Sequence, residues 1–435
     1  MEIRMKYLCT APWTHTYVSP QGERRLCCAS REDSDFQKQY IDTGEQNPDV
    51  TFDPLSLKHH WNSEYMKDIR KRMLAGEAIP QCVVCNENVL NLHTYRSYFV
   101  DTLFPHKIQD ILDTTDETGH TTMVPVSYDY RLSNLCNFKC RMCGDQLSSS
   151  WEAENKINDR MQEDPWLQPN NRRKITNFQK EVLEEELQAA VDQDVIEEIY
   201  WVGGEPLMWE RHWTIMDQLK DSKRKKEITI RYNTNLSRID YKHYNLYNML
   251  NGFKSMNICA SIDGAGAIGE YIRTGIKWDE WLVNFKKGLW INEEYGDDGM
   301  VFDVTLTTPG LFGLKDLFDV VTELDVKSYF KFTYAFTPNV IMAPDALPKS
   351  IVEPYCNELI EYMEPRKTWK TQVYIDSLKA LIKRPSFEQQ WEGEELREGL
   401  HNGKKNIMFL EKIRDQELTY REILNDPGKE WFDGI

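Results

Sequence analysis

Three cysteines, in the run Cys136-Asn-Phe-Lys-Cys140-Arg-Met-Cys143, constrain this chain more than any other feature. They directly follow a strand-like stretch at 125–132. A loop this short can wrap three thiolates around one corner of a cubane iron–sulfur cluster. Three protein ligands leave the fourth iron open to a substrate or cosubstrate. The alternative is a zinc knuckle. Zinc usually takes four ligands in two close pairs, and after Cys143 the next cysteine is Cys259.

The flanking sequence divides into three regions. Residues 1–100 are rich in cysteine and loops. They are expected to contain one amphipathic helix, with Trp61, Tyr65, Ile69 and Met73 on one face and Lys67, Asp68, Arg70 and Lys71 turned away. Residues 122–340 alternate between strand-like and helix-like segments. The strands are expected at 125–132, 196–202, 228–233, 256–262, 302–307 and 329–336. Helices are expected at 178–191, 241–250, 278–291 and 314–324, and 155–177 reads as an irregular polar insertion. Strand–helix alternation predicts an α/β fold with a parallel sheet and crossover helices, and six units suit a partial barrel. Residues 341–435 read as charged helices, including 352–363 and 406–415, with no catalytic motif.

Composition removes some function classes. The chain has 435 residues, enough for two or three domains or one large barrel with additions. Its net charge of −17 argues against a nucleic-acid partner, which selects a basic surface. No apolar run approaches the roughly 18 residues of a membrane span, and the N-terminus does not read as a signal peptide. A cytoplasmic location is therefore expected. In that reducing compartment clustered cysteines point to metal rather than to disulfides.

The cysteine run and its neighbours resemble the radical S-adenosylmethionine (SAM) superfamily. The family's Cys-x3-Cys-x2-Cys lies after the first strand of a partial (β/α)6 barrel. Here Met142 stands before the third cysteine, where an aromatic residue is usual, and would pack on the adenine. Gly203-Gly204-Glu205-Pro206 ends the second expected strand, like the family's Gly-Gly-Glu. The resemblance implies close approach of the ligand at Gly203 and Gly204, with Glu205 accepting from its ammonium. Asn235, in Asn233-Thr234-Asn235, is similar to a ribose-contacting asparagine, and Leu236 stands where glycine is common. Ser261, in Ser261-Ile262-Asp263-Gly264, and Arg273 would hold the carboxylate of S-adenosylmethionine. The alternatives are a turn asparagine for Asn235 and a surface salt bridge for Arg273.

A second cysteine set comprises Cys9, Cys27, Cys82 and Cys85. Cys9 and Cys27 flank Gly22, and Cys82-Val-Val-Cys85 follows the amphipathic stretch. The set resembles the twitch/SPASM auxiliary-cluster module, here preceding the barrel rather than following it. That implies one auxiliary [4Fe–4S] cluster. A tetra-cysteine zinc site is the alternative, and Cys28, beside Cys27, competes as the ligand. Cys259 reads as a core thiol on the face of Ser261, and Cys356 has no functional reading.

The expected architecture is thus a radical SAM barrel at 122–340, with a small auxiliary-cluster domain at 1–100 and a helical extension at 341–435. The resemblance implies two [4Fe–4S] clusters, S-adenosylmethionine and a flavodoxin- or ferredoxin-type electron donor. It implies reductive cleavage of S-adenosylmethionine to methionine and a 5′-deoxyadenosyl radical. That radical would oxidatively modify a peptide or protein side chain. The competing readings are the same chemistry on a sugar, aminoglycoside or nucleotide-derived molecule, and a non-enzymatic metal-binding or electron-transfer protein.

Overall fold

The computed structural model describes residues 6–31, 40–42, 50–87, 94–161, 164–333, 340–391 and 393–435. Its main sheet has eight strands: β1 (His15–Val18), β2 (Arg24–Arg25), β3 (Ser127–Tyr130), β4 (Glu198–Trp201), β5 (Thr229–Thr234), β6 (Ser255–Ser261), β7 (Met300–Leu306) and β8 (Ser328–Phe332). Their order is β8-β7-β6-β5-β4-β3-β1-β2. The pairs β1–β3, β3–β4, β6–β7 and β7–β8 are parallel, and the edge pair β1–β2 is antiparallel. The six strands expected from the sequence are all present and follow one another across the sheet. This is the arrangement that right-handed strand–helix–strand repeats produce. Of the last expected strand, 334–336 lie outside the described residues.

The chain forms two compact units. One comprises Met1–Leu135, Glu152–Arg231 and Met249–Lys254; the other comprises Cys136–Trp151, Tyr232–Asn248 and Ser255–Ile435. This division does not follow the three consecutive regions expected above. In the first unit the N-terminal residues are no appendage: β1 pairs with β3 from His15–Ser127 to Val18–Tyr130. The second unit holds β6 to β8 and the helical C-terminal part.

Several local expectations need correction. The amphipathic stretch is two helices, Leu57–Trp61 and Glu64–Leu74, the second capped by Ser63 accepting from Met66 N. Arg70 does not face solvent: its side chain is buried, donating from Nε to Pro12 O at 2.9 Å and from Nη1 to Asn62 Oδ1 at 2.8 Å. It also lies over the Trp61 ring. Burial lowers its pKa to about 10. A charge at period four was read as solvated because its polar partners lie far off in sequence.

The stretch 155–177 is not irregular. It carries the end of helix Ser149–Ile157 and all but the last residue of helix Pro169–Phe178, which buries Ile175 and Phe178. Many Asn and Arg residues masked that face. Conversely, 241–250 is mostly not helix. Asp240–Tyr241 and Tyr244–Asn245 form a tight hairpin, followed by the short helix Leu246–Met249. Among the described residues no helix is long and apolar enough to cross a membrane.

Candidate functional site

In the second unit, the Cys136–Cys143 loop is fastened by its own neighbours. Cys136 O accepts from Ser149 Oγ and Ser150 Oγ, at 3.2 and 2.8 Å, and Cys136 N donates to Ser149 Oγ. Ser148 Oγ donates to Phe138 O at 2.6 Å, and Trp151 Nε1 to Cys140 O at 2.8 Å. The sequence reading passed over this Ser148-Ser149-Ser150-Trp151 run, although its position directly after the cysteines was the available signal.

A second segment runs alongside the loop. Lys139 N donates to Thr274 O at 2.7 Å and Arg141 N to Ile272 O at 2.8 Å. Gly275 has φ +115°, and a Cβ there would lie 2.9 Å from Phe138 Cδ1. The C-terminal helical part also contributes: Arg414 donates to Lys139 O at 3.0 Å and stacks over Trp151. The tail without a motif is thus part of the loop's support.

Two of the three thiols, Cys136 and Cys140, meet side-chain or backbone N–H donors. Phe138 N–H lies 3.5 Å from Cys136 Sγ, Asn235 Nδ2 lies 3.8 Å from the same sulfur, and Arg273 Nη1 lies 4.0 Å from Cys140 Sγ. Burial pushes the Cys143 thiol up to about 12, with Cys140 adding to the shift. Bare, Cys140 and Cys143 are pushed toward the thiol form; bound iron replaces the proton, and the N–H donors then stabilise sulfur-borne charge. The donor set therefore fits a cluster.

The other expected contacts are distributed as follows. Asn235 is buried and also donates to Asn137 Oδ1 at 3.1 Å. Leu236 has φ +51°, the left-handed conformation that explains why glycine is usual there. Ser261 ends β6, half-buried. Met142 packs against a core that includes Tyr271 and Ile272.

Arg273 is no surface salt bridge. Its Nε lies 2.6 Å from Asp263 Oδ2, and its Nη2 donates to Asp263 Oδ1 at 3.1 Å. Burial opposes the guanidinium charge, but Asp263 and then Cys140 outweigh it and raise the pKa. The fork expected to grip an incoming carboxylate is committed to Asp263, which leaves Nη1.

In the first unit, Gly203 and Gly204 follow β4. A Cβ on Gly204 would meet Leu135 O at 2.4 Å and Asn134 C at 2.7 Å. Gly204 N donates to Ser133 O and Glu205 N to Leu135 O, at 3.2 and 2.7 Å. These glycines hold the chain just before Cys136, a role not read from the sequence. Glu205 is buried and accepts from Leu207 N at 3.1 Å. Gly204→Ala should force the backbone apart at about 1–3 kcal/mol, lowering the melting temperature and the iron content together. Wild-type iron retention and stability in that variant would remove the clamp.

The second cysteine set also assembles within this unit. Cys9 lies within electrostatic range of Cys82 and Cys85, and Cys27 within range of Cys9 and Cys82. Burial and then Cys82 push the Cys9 thiol up to about 12. Cys28 turns elsewhere, hydrogen-bonded to Tyr95 and close to Asp129 and Arg131. Among the described residues no three His, Cys, Asp or Glu side chains converge tightly enough to share one ion. A cubane gives each thiolate its own iron, so it tolerates a wider spacing than a single tetrahedral zinc does.

Arg96 supplies a further test of fit. It is 8% exposed, its Nε has no hydrogen-bond partner, and among the described residues no carboxylate pairs with it. Its Nη2 donates to Asn86 Oδ1, and its charge acts on Cys9. An unpaired buried cation is costly. An anionic metal–thiolate centre beside it would compensate that charge.

Sequence reasoning also missed a buried polar face on β1, β3, β4 and β5. His15 Nδ1 lies 2.6 Å from Ser127 Oγ, which donates to Glu198. Burial lowers the pKa of His15 to about 4. Arg231 approaches Glu198 at 3.4 Å, and Arg131 pairs with Asp129 through Nε and Nη2, both at 3.0 Å. Period-two charge in β3 was the available signal.

The family model of the Radical SAM superfamily matches residues 130–287, from the end of β3 through helix Trp278–Lys287. No curated protein matches the chain. The matched segment carries the three cysteines, Gly203-Gly204-Glu205, Asn235, Ser261 and Arg273. A domain of this family implies an enzyme, a [4Fe–4S] cluster, S-adenosylmethionine and radical chemistry begun by its reductive cleavage. Residues 130–287 are thus a domain of the radical SAM superfamily.

Proposed function

We propose that this enzyme oxidatively modifies a peptide or protein side chain, with Cys9, Cys27, Cys82 and Cys85 holding a second [4Fe–4S] cluster that accepts the substrate's electron. The observation that supports the second cluster is the buried Arg96, which has no carboxylate partner among the described residues and whose charge acts on Cys9. In this reading Cys136, Cys140 and Cys143 hold the catalytic cluster, and Phe138 N–H, Asn235 and Arg273 stabilise its thiolates. Glu205 offers a carboxylate to the cosubstrate's ammonium, and Ser261 and Arg273 Nη1 remain for its carboxylate. When bound, the cluster and S-adenosylmethionine supply a 5′-deoxyadenosyl radical that takes a hydrogen atom from the substrate. The paired charges Asp129–Arg131 and Glu198–Arg231 favour one second reading, a small polar substrate.

Anaerobically reconstituted protein, given dithionite and S-adenosylmethionine, should release 5′-deoxyadenosine; no release would overturn the catalytic reading. Metal analysis tests the auxiliary site. The wild type should carry about eight irons per chain, and the Cys82→Ala/Cys85→Ala variant about four. That variant should keep uncoupled cleavage while losing turnover of the substrate. One zinc and about four irons per chain in the wild type would remove the electron-acceptor role.

A further inference from the structure

The C-terminal helical part of the second unit carries an open groove that the proposed chemistry does not use. It has a volume of about 970 Å³ and is lined by residues of helix Gly393–Ile413 and by Trp431, Gly434 and Ile435, of and beside helix Asp426–Gly434. Its floor is apolar: Leu396, Leu400, Trp431 and Ile435. Leu400 is buried in a core with Val340, Ala343, Ala346 and Phe387, and the other three, partly buried, pack against that core. Lys404 ties the two helices together, its Nζ donating to Phe432 O at 2.6 Å and lying over the Phe432 ring. The fold itself therefore holds the groove open.

The rim is mainly acidic. Glu388, Glu394 and Glu398 line the groove, all exposed, and none is in an ion pair among the described residues. Other carboxylates of this region are paired: Asp433 with Arg421 at 2.7 Å, Asp426 with Lys429 at 3.1 Å and Asp345 with Arg384 at 2.6 Å. Arg397, which also lines the groove, donates from Nε to Gly393 O at 3.3 Å. Apolar side chains in a groove between helices suit the apolar face of an amphipathic segment. Uncommitted carboxylates around them select basic flanks on that segment.

We infer that this groove docks a basic amphipathic segment of the peptide or protein substrate, at a distance from the side chain that is modified. The inference rests on the peptide reading above and adds where such a substrate is held. The same helix sets the distance. Just beyond its last turn, Arg414 donates to Lys139 O in the loop of Cys136, Cys140 and Cys143. The groove residues 394–401 precede Arg414 by 13–20 positions, about 20–30 Å of helix. Extended chain covers about 3.3–3.6 Å per residue, so at least about six to nine residues must join the docked segment to the modified one.

The probe is a fluorescein-labelled peptide of leucine and lysine, patterned as an amphipathic helix and titrated into the reconstituted holoenzyme. Fluorescence anisotropy should show binding that weakens as salt is added. The same peptide with glutamate in place of lysine should not bind. The Glu388→Lys/Glu394→Lys/Glu398→Lys variant should bind the lysine peptide about tenfold or more weakly. Leu396→Gln, which alters the floor and no charge, should weaken binding and leave its salt dependence unchanged. A photoreactive leucine analogue in the probe should cross-link to Leu396, Leu400 or Trp431. Both variants should keep their iron content and their dithionite-driven 5′-deoxyadenosine release. Equal binding by wild type and the charge-reversed variant, or cross-links elsewhere, would overturn the inference. So would a wild-type dimer that Leu396→Gln dissociates, which would assign the groove to a second copy of the chain. The reading beneath it is tested separately: reconstituted enzyme that converts a sugar or nucleotide but no peptide would overturn that reading, whatever the probe does.

Discussion

Replacing Cys136, Cys140 and Cys143 together by alanine is expected to remove about four irons per chain and abolish 5′-deoxyadenosine formation. Cys259, the next cysteine in sequence, is no substitute thiolate: its Sγ points at Asn257 Oδ1, 3.3 Å away on its own strand. Nor should the loss unfold the loop. Ser148, Ser149, Ser150 and Trp151 bond its backbone, and the bonds to Ile272 O and Thr274 O do not involve sulfur. The variant should therefore remain folded by circular dichroism while iron and cleavage are lost. Wild-type cleavage in the triple variant would remove these cysteines from the chemistry.

That separation of ligands from scaffold marks where the sequence was legible. The six strands were readable because each is a short run with apolar or aromatic residues, closed by a turn-forming or motif residue. The candidate contacts were readable because their motifs stand after those runs. The supports were not. Arg70, the Ser148–Ser150 run and Arg414 act through partners that no periodicity reports. Arg70 reaches Pro12 O, 58 residues away, and Arg414 reaches Lys139 O, 275 residues away. The N-terminal strand was missed for a related reason. His15–Val18 is only four residues long, and its pairing with β3 spans more than a hundred residues of chain. Between Cys27 and Cys28 the spacing from Gly22 favoured Cys27. Cys27 lies within electrostatic range of Cys9 and Cys82 as well as of Cys28, whereas Cys28 is hydrogen-bonded to Tyr95 and close to Asp129.

Arg273 is where reading by resemblance and reading by geometry differ most, and the difference has a large expected effect. A residue that only held the cosubstrate's carboxylate could be removed at little cost to the fold. Here Arg273→Ala would strand Asp263, which is fully buried and otherwise supported by Thr305 N–H at 2.7 Å. Breaking a buried ion pair from one side costs about 3–5 kcal/mol, because the remaining charge is left without its partner. Equilibrium urea unfolding of the iron-free protein should show that loss. Asp263→Leu combined with Arg273→Met should recover most of it, since apolar replacement of both partners removes the uncompensated charge. The two roles then separate. The double variant should fold yet bind S-adenosylmethionine more weakly, because Nη1, the donor that also faces Cys140 Sγ, is gone. If Arg273→Ala instead unfolds like the wild type and loses only cosubstrate affinity, the Asp263 pair is not what holds this part of the site. The guanidinium would then have to leave Asp263 when the carboxylate arrives.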